Sequence, residues 1–112
     1  MATYTPTIFG TNGRMVAVAS VSSGAPTTIH TVGTDTEEVY LQACNIHTAE
    51  ILLTINLGGT SNADKITRYL PPNSGPVPIL EGHRMNGGVV IGAYLDGNAS
   101  KVNILIDRNV IT

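Results

Sequence analysis

The sequence predicts an all-β fold, a compact β-sandwich or jelly roll of about eight short strands. Apolar and polar residues alternate in most segments, and no window of useful length shows the 3.6-residue period of a helix. Glycine and proline interrupt every longer segment, so the strands must be short and the turns frequent. The 112 residues match the usual length of one domain, which can bury a core without disulfides.

The segment Glu38–Gly59, EVYLQACNIHTAEILLTINLGG, gives the strongest strand signal. Four apolar residues in its second half alternate with other residues, so they share one face of a strand. These residues are Ile51, Leu53, Ile55 and Leu57. The first half, Val39–Ile46, is rich in strand formers, and polar residues between the halves are compatible with a turn. We interpret the whole segment as a β-hairpin that supplies core.

The N-terminal residues 1–13 are interpreted as an extended arm, and residues 14–112 as the single domain. The arm carries one apolar pair, Ile8 and Phe9, which would anchor it. Two outcomes stay open for such a segment. It is a frayed terminus, as first residues often are, or it adds a strand to the sheet edge of a neighbouring subunit.

The other strands are expected in runs of strand formers bounded by turn residues. The predicted strands are Arg14–Ser22, Thr27–Val32, Lys65–Leu70, Val89–Leu95 and Lys101–Asp107, the last running on toward Ile111. In the last two strands one face is apolar and expected to point inward: Val89, Ile91, Ala93 and Leu95 in the first, and Val102, Ile104 and Ile106 in the second. Residues 83–88 are expected to form a turn or bulge. The dipeptide Asp96-Gly97 lies between two apolar strands and is the best hairpin turn in the chain.

Two prolines mark the segment GPVPILE at residues 75–81. Pro76 and Pro78 are two positions apart, and in a strand the N–H groups of such residues point to the same side. Both missing donors therefore fall on one edge, which cannot carry a regular ladder. That edge must face solvent, a loop or a partner. Together with Ile8 and Phe9, these prolines are our candidate partner-contact residues.

Composition limits the possible partners. Charged residues make up 12% of the chain, about half the usual share. This favours a surface covered by other subunits, although a neutral, Thr-rich β-domain is the alternative. The net charge of −2 and the scatter of the six basic residues argue against nucleic-acid binding. No apolar run approaches the roughly 20 residues of a membrane span, and no secretory pattern begins the chain. We expect no membrane partner and assembly in the cytoplasm.

Candidate residues for chemistry are few. His30, His47 and His83 lie in different segments without metal-ligand spacing, and the acidic residues at 35–38 lack the EF-hand pattern. Cys44 lies within a strand, where burial opposes thiolate formation. The chain contains no G-x-S-x-G and no phosphate-binding glycine motif. We therefore expect no catalytic residues, no metal and no cofactor.

The layout of residues 26–111 resembles small structural proteins of tailed-bacteriophage virions. The resemblance lies in a TTIHTV strand, the segment EEVYLQACNIHTAEILLTINLGGT, the loop LPPNSGPVPILEG and the closing GGVVIGAYLDGNASKVNILIDRNVI. It implies a β-sandwich without enzymatic activity that decorates (cements) the capsid surface, binding the major capsid protein and its own copies as a homotrimer. The alternatives are a head–tail connector, tail or fibre-base protein, and a lectin-like ligand-binding β-sandwich.

Overall fold

The structure is a computed structural model that describes residues 2–8 and 13–112. The described residues form nine β-strands and one 3₁₀ turn, and they contain no α-helix. The strands are β1 (Tyr4–Thr7), β2 (Val16–Ala17), β3 (Thr27–Thr31), β4 (Thr36–Asn45), β5 (Ile51–Leu57), β6 (Lys65–Leu70), β7 (Val77–Met85), β8 (Val90–Leu95) and β9 (Val102–Ile111). The 3₁₀ turn spans Asn62–Asp64, between β5 and β6.

The strands form two antiparallel sheets. Sheet A has the order β1-β9-β4-β7, with β2 also paired to β9, and sheet B has the order β3-β8-β5-β6. Strand β2 thus pairs with β9, β3 with β8, β4 with β7, and β5 with β6. This nested pairing is that of a jelly roll, in which a long antiparallel ribbon is wrapped into two facing sheets. The predicted all-β sandwich is confirmed.

The core lies between the sheets and consists of aliphatic side chains. The predicted inner face of β5 is confirmed, because Ile51, Leu53 and Ile55 are fully buried and Leu57 packs partly buried against them. Alternate residues of β8 and β9 complete the core, also as predicted: Ile91, Ala93, Leu95, Val102, Ile104 and Ile106. Removing this apolar surface from water, at about 25 cal/mol per Å², is the main force that holds the two sheets together.

The prediction of a hairpin over Glu38–Gly59 is wrong. Strand β4 belongs to sheet A and β5 to sheet B, so the two strands face each other across the core instead of pairing. The Asp96-Gly97 hairpin is wrong for the same reason, since β8 lies in sheet B and β9 in sheet A. Alternation specifies which face of a strand is apolar, but not which neighbouring strand pairs with it through backbone hydrogen bonds. The consecutive strands that do pair with each other are β5 and β6.

The crossing from β4 to β5 is held by the buried side chain of Asn45. Its Nδ2 donates hydrogen bonds to the carbonyl oxygens of Ala49 (2.9 Å), Leu70 (3.2 Å) and Pro71 (3.1 Å). Its Oδ1 accepts a hydrogen bond from the backbone N–H of His47 at 2.9 Å. One amide therefore ties the end of β4 to both the crossing and the end of β6.

The N-terminal segment differs from the predicted arm. Tyr4–Thr7 pairs with β9 of its own sheet, so this stretch forms an edge strand of the domain itself. The predicted strand Arg14–Ser22 is reduced to Val16–Ala17, because the chain then passes between the sheets. The N–H of Val18 donates to Val102 of sheet A, whereas the carbonyl of Ser20 accepts from Leu95 of sheet B, each at 2.9 Å.

Strand β7 is the other edge strand of sheet A and carries the predicted proline edge. Pro76 immediately precedes it, Pro78 lies within it, and its strand partner among the described residues is β4. The strand runs on to Met85, further than predicted, through a bulge at Gly82 with φ of +87°. Glycine suits this position, because a Cβ there would lie 3.2 Å from the Tyr40 hydroxyl.

Candidate functional site

The structure separates the residues that were predicted to contact partners. Ile8 follows β1 at one edge of sheet A and is 76% exposed. Pro76 and Pro78 are exposed at the opposite edge, on β7. Phe9 lies outside the described residues. A partner would therefore meet the two predicted groups as separate surfaces.

An apolar surface follows the edge formed by β1 and β2. Tyr4 and Met15 are each about half exposed there, and Ile8 is more exposed than either; we call these three residues the N-terminal edge. A groove of about 490 Å³ adjoins Ile8. The groove is lined by Pro6, Thr7, Ile8, Tyr40, Gln42, Asp107, Arg108 and Asn109. A second hollow of about 480 Å³ adjoins Met15 and Leu105.

The register of β1 and β2 leaves a gap between their pairings along β9. Thr7 pairs with Arg108 and Val16 pairs with Ile104, so positions 105–107 of β9 lie between the two pairings. Among the described residues, positions 105–107 of β9 have a strand partner on the β4 side only. Backbone groups at such an edge are available to an added strand.

A polar network crosses the outer face of sheet A and fastens β1 to it. Arg84 on β7 donates a hydrogen bond to the Tyr4 hydroxyl (2.8 Å) and lies 3.6 Å from the Glu38 carboxylate. Tyr40 donates to Glu38 at 2.7 Å, and Asn109 donates at 3.2 Å. The hydrogen bonds from Tyr40 and Asn109 lower the pKa of Glu38. The bond between Tyr40 and Glu38 also raises the pKa of Tyr40. Exposed contacts of this kind stabilise little individually.

A buried ion cluster ties the two sheets together at one end of the core. Glu37 is 3% exposed, and its carboxylate lies 2.7 Å from His30 Nε2 and 3.3 Å from Arg108 Nη1. The Gly33 N–H donates to the second oxygen at 3.0 Å. Burial alone raises the pKa of Glu37. The bonds from Gly33 and His30, with the charges of His30 and Arg108, outweigh it and hold that pKa below its ordinary value of 4.5.

This cluster is suited to a structural role. Although a carboxylate, an imidazole and a guanidinium meet in it, both oxygens of Glu37 already have partners. A general base needs an oxygen that can reach a substrate proton. The cluster instead joins β3 of sheet B to β4 and β9 of sheet A, and so fixes the two sheets relative to each other.

A small pocket lies on the outer face of sheet B, around Asn56. Its volume is about 200 Å³, and it is lined by Pro26, Thr28, Asn56, Gly58, Gly59, Thr60, Val90 and Gly92. Asn56 is 3% exposed, yet neither its Nδ2 nor its Oδ1 has a hydrogen-bond partner among the described residues. A buried polar group left in this way costs about 1–3 kcal/mol. Native proteins keep few such groups, so Asn56 requires an explanation.

The strand register creates the pocket. Asn56 stands opposite Gly92 on β8 and opposite Lys65 on β6. Gly92 has no side chain opposite Asn56, and the ring of Pro26 packs against Gly92. A Cβ at position 92 would lie 3.1 Å from the Pro26 Cβ, which is tighter than an ordinary contact.

The loop at 58–64 forms a fixed wall of this pocket. The Asp64 carboxylate accepts hydrogen bonds from the N–H of Ser61 (3.2 Å) and from its hydroxyl (2.7 Å), which closes the loop on itself. Gly59 packs directly on that carboxylate, where a Cβ would come within 2.5 Å of Asp64 Oδ2. The loop thus depends on a glycine at position 59 and on the acid at position 64.

The remaining candidates for chemistry are dispersed. Cys44 is partly buried on β4, and this burial raises the pKa of its thiol. His47 and His83 lie at separate places, on the β4–β5 crossing and on β7. No group of three or more potential metal ligands occurs within residues 2–8 and 13–112. The described part of the chain also has no helix with the length and hydropathy of a membrane span.

The pocket at Asn56 was missed by sequence reasoning. Asn56 lies on the face of β5 opposite the predicted apolar face, where alternation alone gives no sign of burial. Its burial depends on Gly92 and Pro26, which are distant in sequence. Gly58 and Gly59 were expected only as turn glycines after the strand.

Comparison with known proteins identifies no family. No protein-family model, no curated protein and no solved structure matches this chain.

Proposed function

We propose that this protein is a structural subunit of a tailed-bacteriophage virion that decorates the capsid surface. Its partners would be the major capsid protein and further copies of itself. The observation that carries this proposal is the N-terminal edge. It combines exposed apolar side chains with a groove and with a stretch of β9 that, among residues 2–8 and 13–112, has a strand partner on the β4 side only. Such an edge is suited to binding another protein chain.

The exposed side chains support a binding role for this edge. Tyr4, Ile8 and Met15 are exposed at one margin of sheet A, in or beside β1 and β2. The single domain is otherwise poor in charge, with 12% charged residues. Interfaces between subunits are depleted in charge at their centres and contain aromatic residues and methionine. Burying Ile8 and Met15 on a capsid would remove both from water.

The topology supports the same class of function by analogy. Jelly rolls recur in viral capsid and lectin domains. A fold of this kind hosts many functions, so the analogy favours a virion or binding role without specifying a site. The ion cluster around Glu37 and the partly buried Cys44 offer no free catalytic group, and we include the absence of enzymatic activity in the proposal.

The oligomeric state is part of the proposal. Subunits that decorate three-fold positions of a capsid would be homotrimers, since closed symmetry is the rule for soluble oligomers. Binding to the assembled shell alone would stabilise the shell by mass action. Mass measurement in solution, with and without capsids, tests whether the trimer exists before binding.

The test uses expanded, undecorated capsids of the phage that, under this proposal, encodes the protein. Purified protein should bind them saturably and raise the temperature at which they rupture. Ile8→Asp should weaken this binding at least about tenfold, because a charge would be buried against the shell. Tyr69→Asp is the matched control at an exposed apolar position on sheet B and should bind as the wild type does. Absence of binding by the wild type would refute the proposal.

Labelled particles distinguish decoration from the connector, tail or fibre-base alternative. Electron microscopy of virions that carry a tagged copy should show label over the whole head. Label confined to one vertex or to the tail would replace decoration by that alternative.

A further inference from the structure

The unpartnered amide of Asn56 limits the chemistry of any group that enters its pocket. Nδ2 needs an acceptor and Oδ1 needs a donor, and neither finds one among the described residues. An ionised carboxylate supplies acceptors only, and an ammonium or guanidinium group supplies donors only. The complementary group is therefore uncharged and carries a donor and an acceptor side by side.

A primary carboxamide has this arrangement. Two primary amides can pair through two parallel hydrogen bonds, each donating once and accepting once. A trans peptide group directs its N–H and C=O to opposite sides and so cannot meet both atoms of Asn56. Sugar hydroxyls also combine donor and acceptor, but the lining contains no aromatic ring on which a sugar could stack.

The size and walls of the pocket also fit a side chain. Its volume of about 200 Å³ is below the roughly 300–1,000 Å³ typical of sites for drug-sized ligands. Pro26 and Val90 offer apolar contacts for a methylene stem, and Gly92 is the lining residue opposite Asn56, where the amide would lie. The loop fixed by Asp64 holds the opposite wall in place before binding, which limits the entropy lost on association.

We propose that the Asn56 pocket binds a primary carboxamide, carried as the side chain of an asparagine or glutamine on a partner protein. That this partner is a virion protein rests on the proposed function. The carboxamide chemistry does not, because it follows from the pocket alone. Asn56 pairs with the incoming amide, while Pro26 and Val90 contact its stem.

The chemistry is tested with acetamide as the probe and amide NMR spectra of the folded protein. Acetamide should shift the backbone signals of Gly58, Gly59 and Gly92 saturably. Acetone, which lacks a donor, and acetate, which is charged and lacks one too, should bind at least about tenfold more weakly. Loss of saturable shifts with acetamide would overturn the proposal and leave ordered water as the partner of Asn56.

Two variants locate the effect. Asn56→Ala removes both polar atoms. Gly92→Ala presses a methyl group against Pro26, so the wall of the pocket must shift while Asn56 stays in place. Each should abolish the acetamide shifts, whereas Asn103→Ala, on the outer face of sheet A, should retain them. Acetamide binding that survives both substitutions, or tighter binding of glucose than of acetamide at the same signals, would overturn the assignment.

The partner is tested separately with the capsids described above. Asn56→Ala should lower capsid affinity about tenfold if a capsid carboxamide occupies the pocket. Acetamide binding with unchanged capsid affinity would overturn the virion partner but not the chemistry. Failure of the wild-type protein to bind capsids would refute the proposed function, and the acetamide result would stand independently.

Discussion

Two asparagines near the ends of neighbouring segments, Asn45 and Asn56, are almost equally buried but differ in their surroundings. Asn45 is 1% exposed and Asn56 is 3% exposed. The amide of Asn45 makes four hydrogen bonds to the backbone, whereas that of Asn56 makes none among the described residues. Burial alone therefore does not reveal what a polar residue does.

The difference separates a structural residue from a candidate binding residue. The Asn45 side chain donates hydrogen bonds to backbone carbonyl groups at the crossing between the sheets, where strand pairing leaves carbonyl groups without a partner. Asn56 lies on a regular strand whose backbone is paired on both sides by β6 and β8, so its side chain is not needed for that purpose. A polar group retained without an internal partner is better explained by an external one.

The largest expected effect tests which side of β5 faces the core. Ile55 is fully buried and immediately precedes Asn56. Ile55→Asp should cost at least about 4 kcal/mol, because an unpaired carboxylate would lie between the sheets. Circular dichroism and solubility should show loss of the fold, while Leu52→Asp, on the outer face of β5, should stay folded. A folded Ile55→Asp protein would reverse the faces of β5 and remove the basis for the pocket.

The next largest effect is the loss of stability expected at Asn45, which holds the crossing from β4 to β5. Asn45→Ala removes the partner of three carbonyl groups and one N–H, so it should lower the free energy of unfolding by about 2–3 kcal/mol. Urea denaturation measures this as a lower midpoint at constant slope. Asn103→Ala serves as the control and should change stability by less than about 0.5 kcal/mol. Equal losses in both variants would mean that Asn45 does not hold the crossing.

Acidification tests the other fully partnered buried group, Glu37. Its pKa in the folded protein lies below the ordinary 4.5, so the stability that it contributes is present above pH 4.5 and is lost as the pH falls through the folded value. The free energy of unfolding should therefore decline on acidification below pH 4.5. In Glu37→Gln this decline should be smaller. If the free energy of unfolding falls equally steeply with pH in both proteins, the stabilising role of Glu37 in the ion cluster is contradicted.

The smallest effect is expected at Asn56. Asn56→Ala removes no hydrogen bond within the described residues. The relief of a buried unpaired amide should roughly offset the packing that the truncated side chain loses, so the net change in stability should be below about 0.5 kcal/mol. Urea denaturation beside Asn45→Ala gives the direct contrast for the same substitution. A loss as large as that of Asn45→Ala would mean that water or another group already satisfies Asn56 in the free protein.

Sequence patterns predicted the strands and their inner faces but not their partners. Lys65–Leu70 has the predicted bounds, and the inner residues of β5, β8 and β9 are buried as expected. Both predicted hairpins were wrong because short connections were assumed to join paired strands. In a jelly roll most consecutive strands lie in different sheets, and a short segment such as 46–50 can cross the core as easily as it can reverse.

The candidate sites, too, were predicted only where they depend on local sequence. The two prolines predicted an edge without a regular ladder, and β7 lies at an edge of sheet A. Ile8 was predicted to anchor the arm, and the structure shows it exposed. The docking of Tyr4–Thr7 on β9 was missed, since it depends on pairing with the far end of the chain. The Asn56 pocket requires β5, β8 and Pro26 to meet, and no local pattern encodes that meeting.

The most direct test of the difference between Asn45 and Asn56 is one NMR titration with acetamide. It follows the side-chain NH₂ signals of both residues. The Asn56 pair should shift saturably, because its amide would gain a partner, and the Asn45 pair should stay fixed. A fixed Asn56 pair at saturating acetamide, or equal shifts of both pairs, would contradict the assignment of Asn56 as a binding residue.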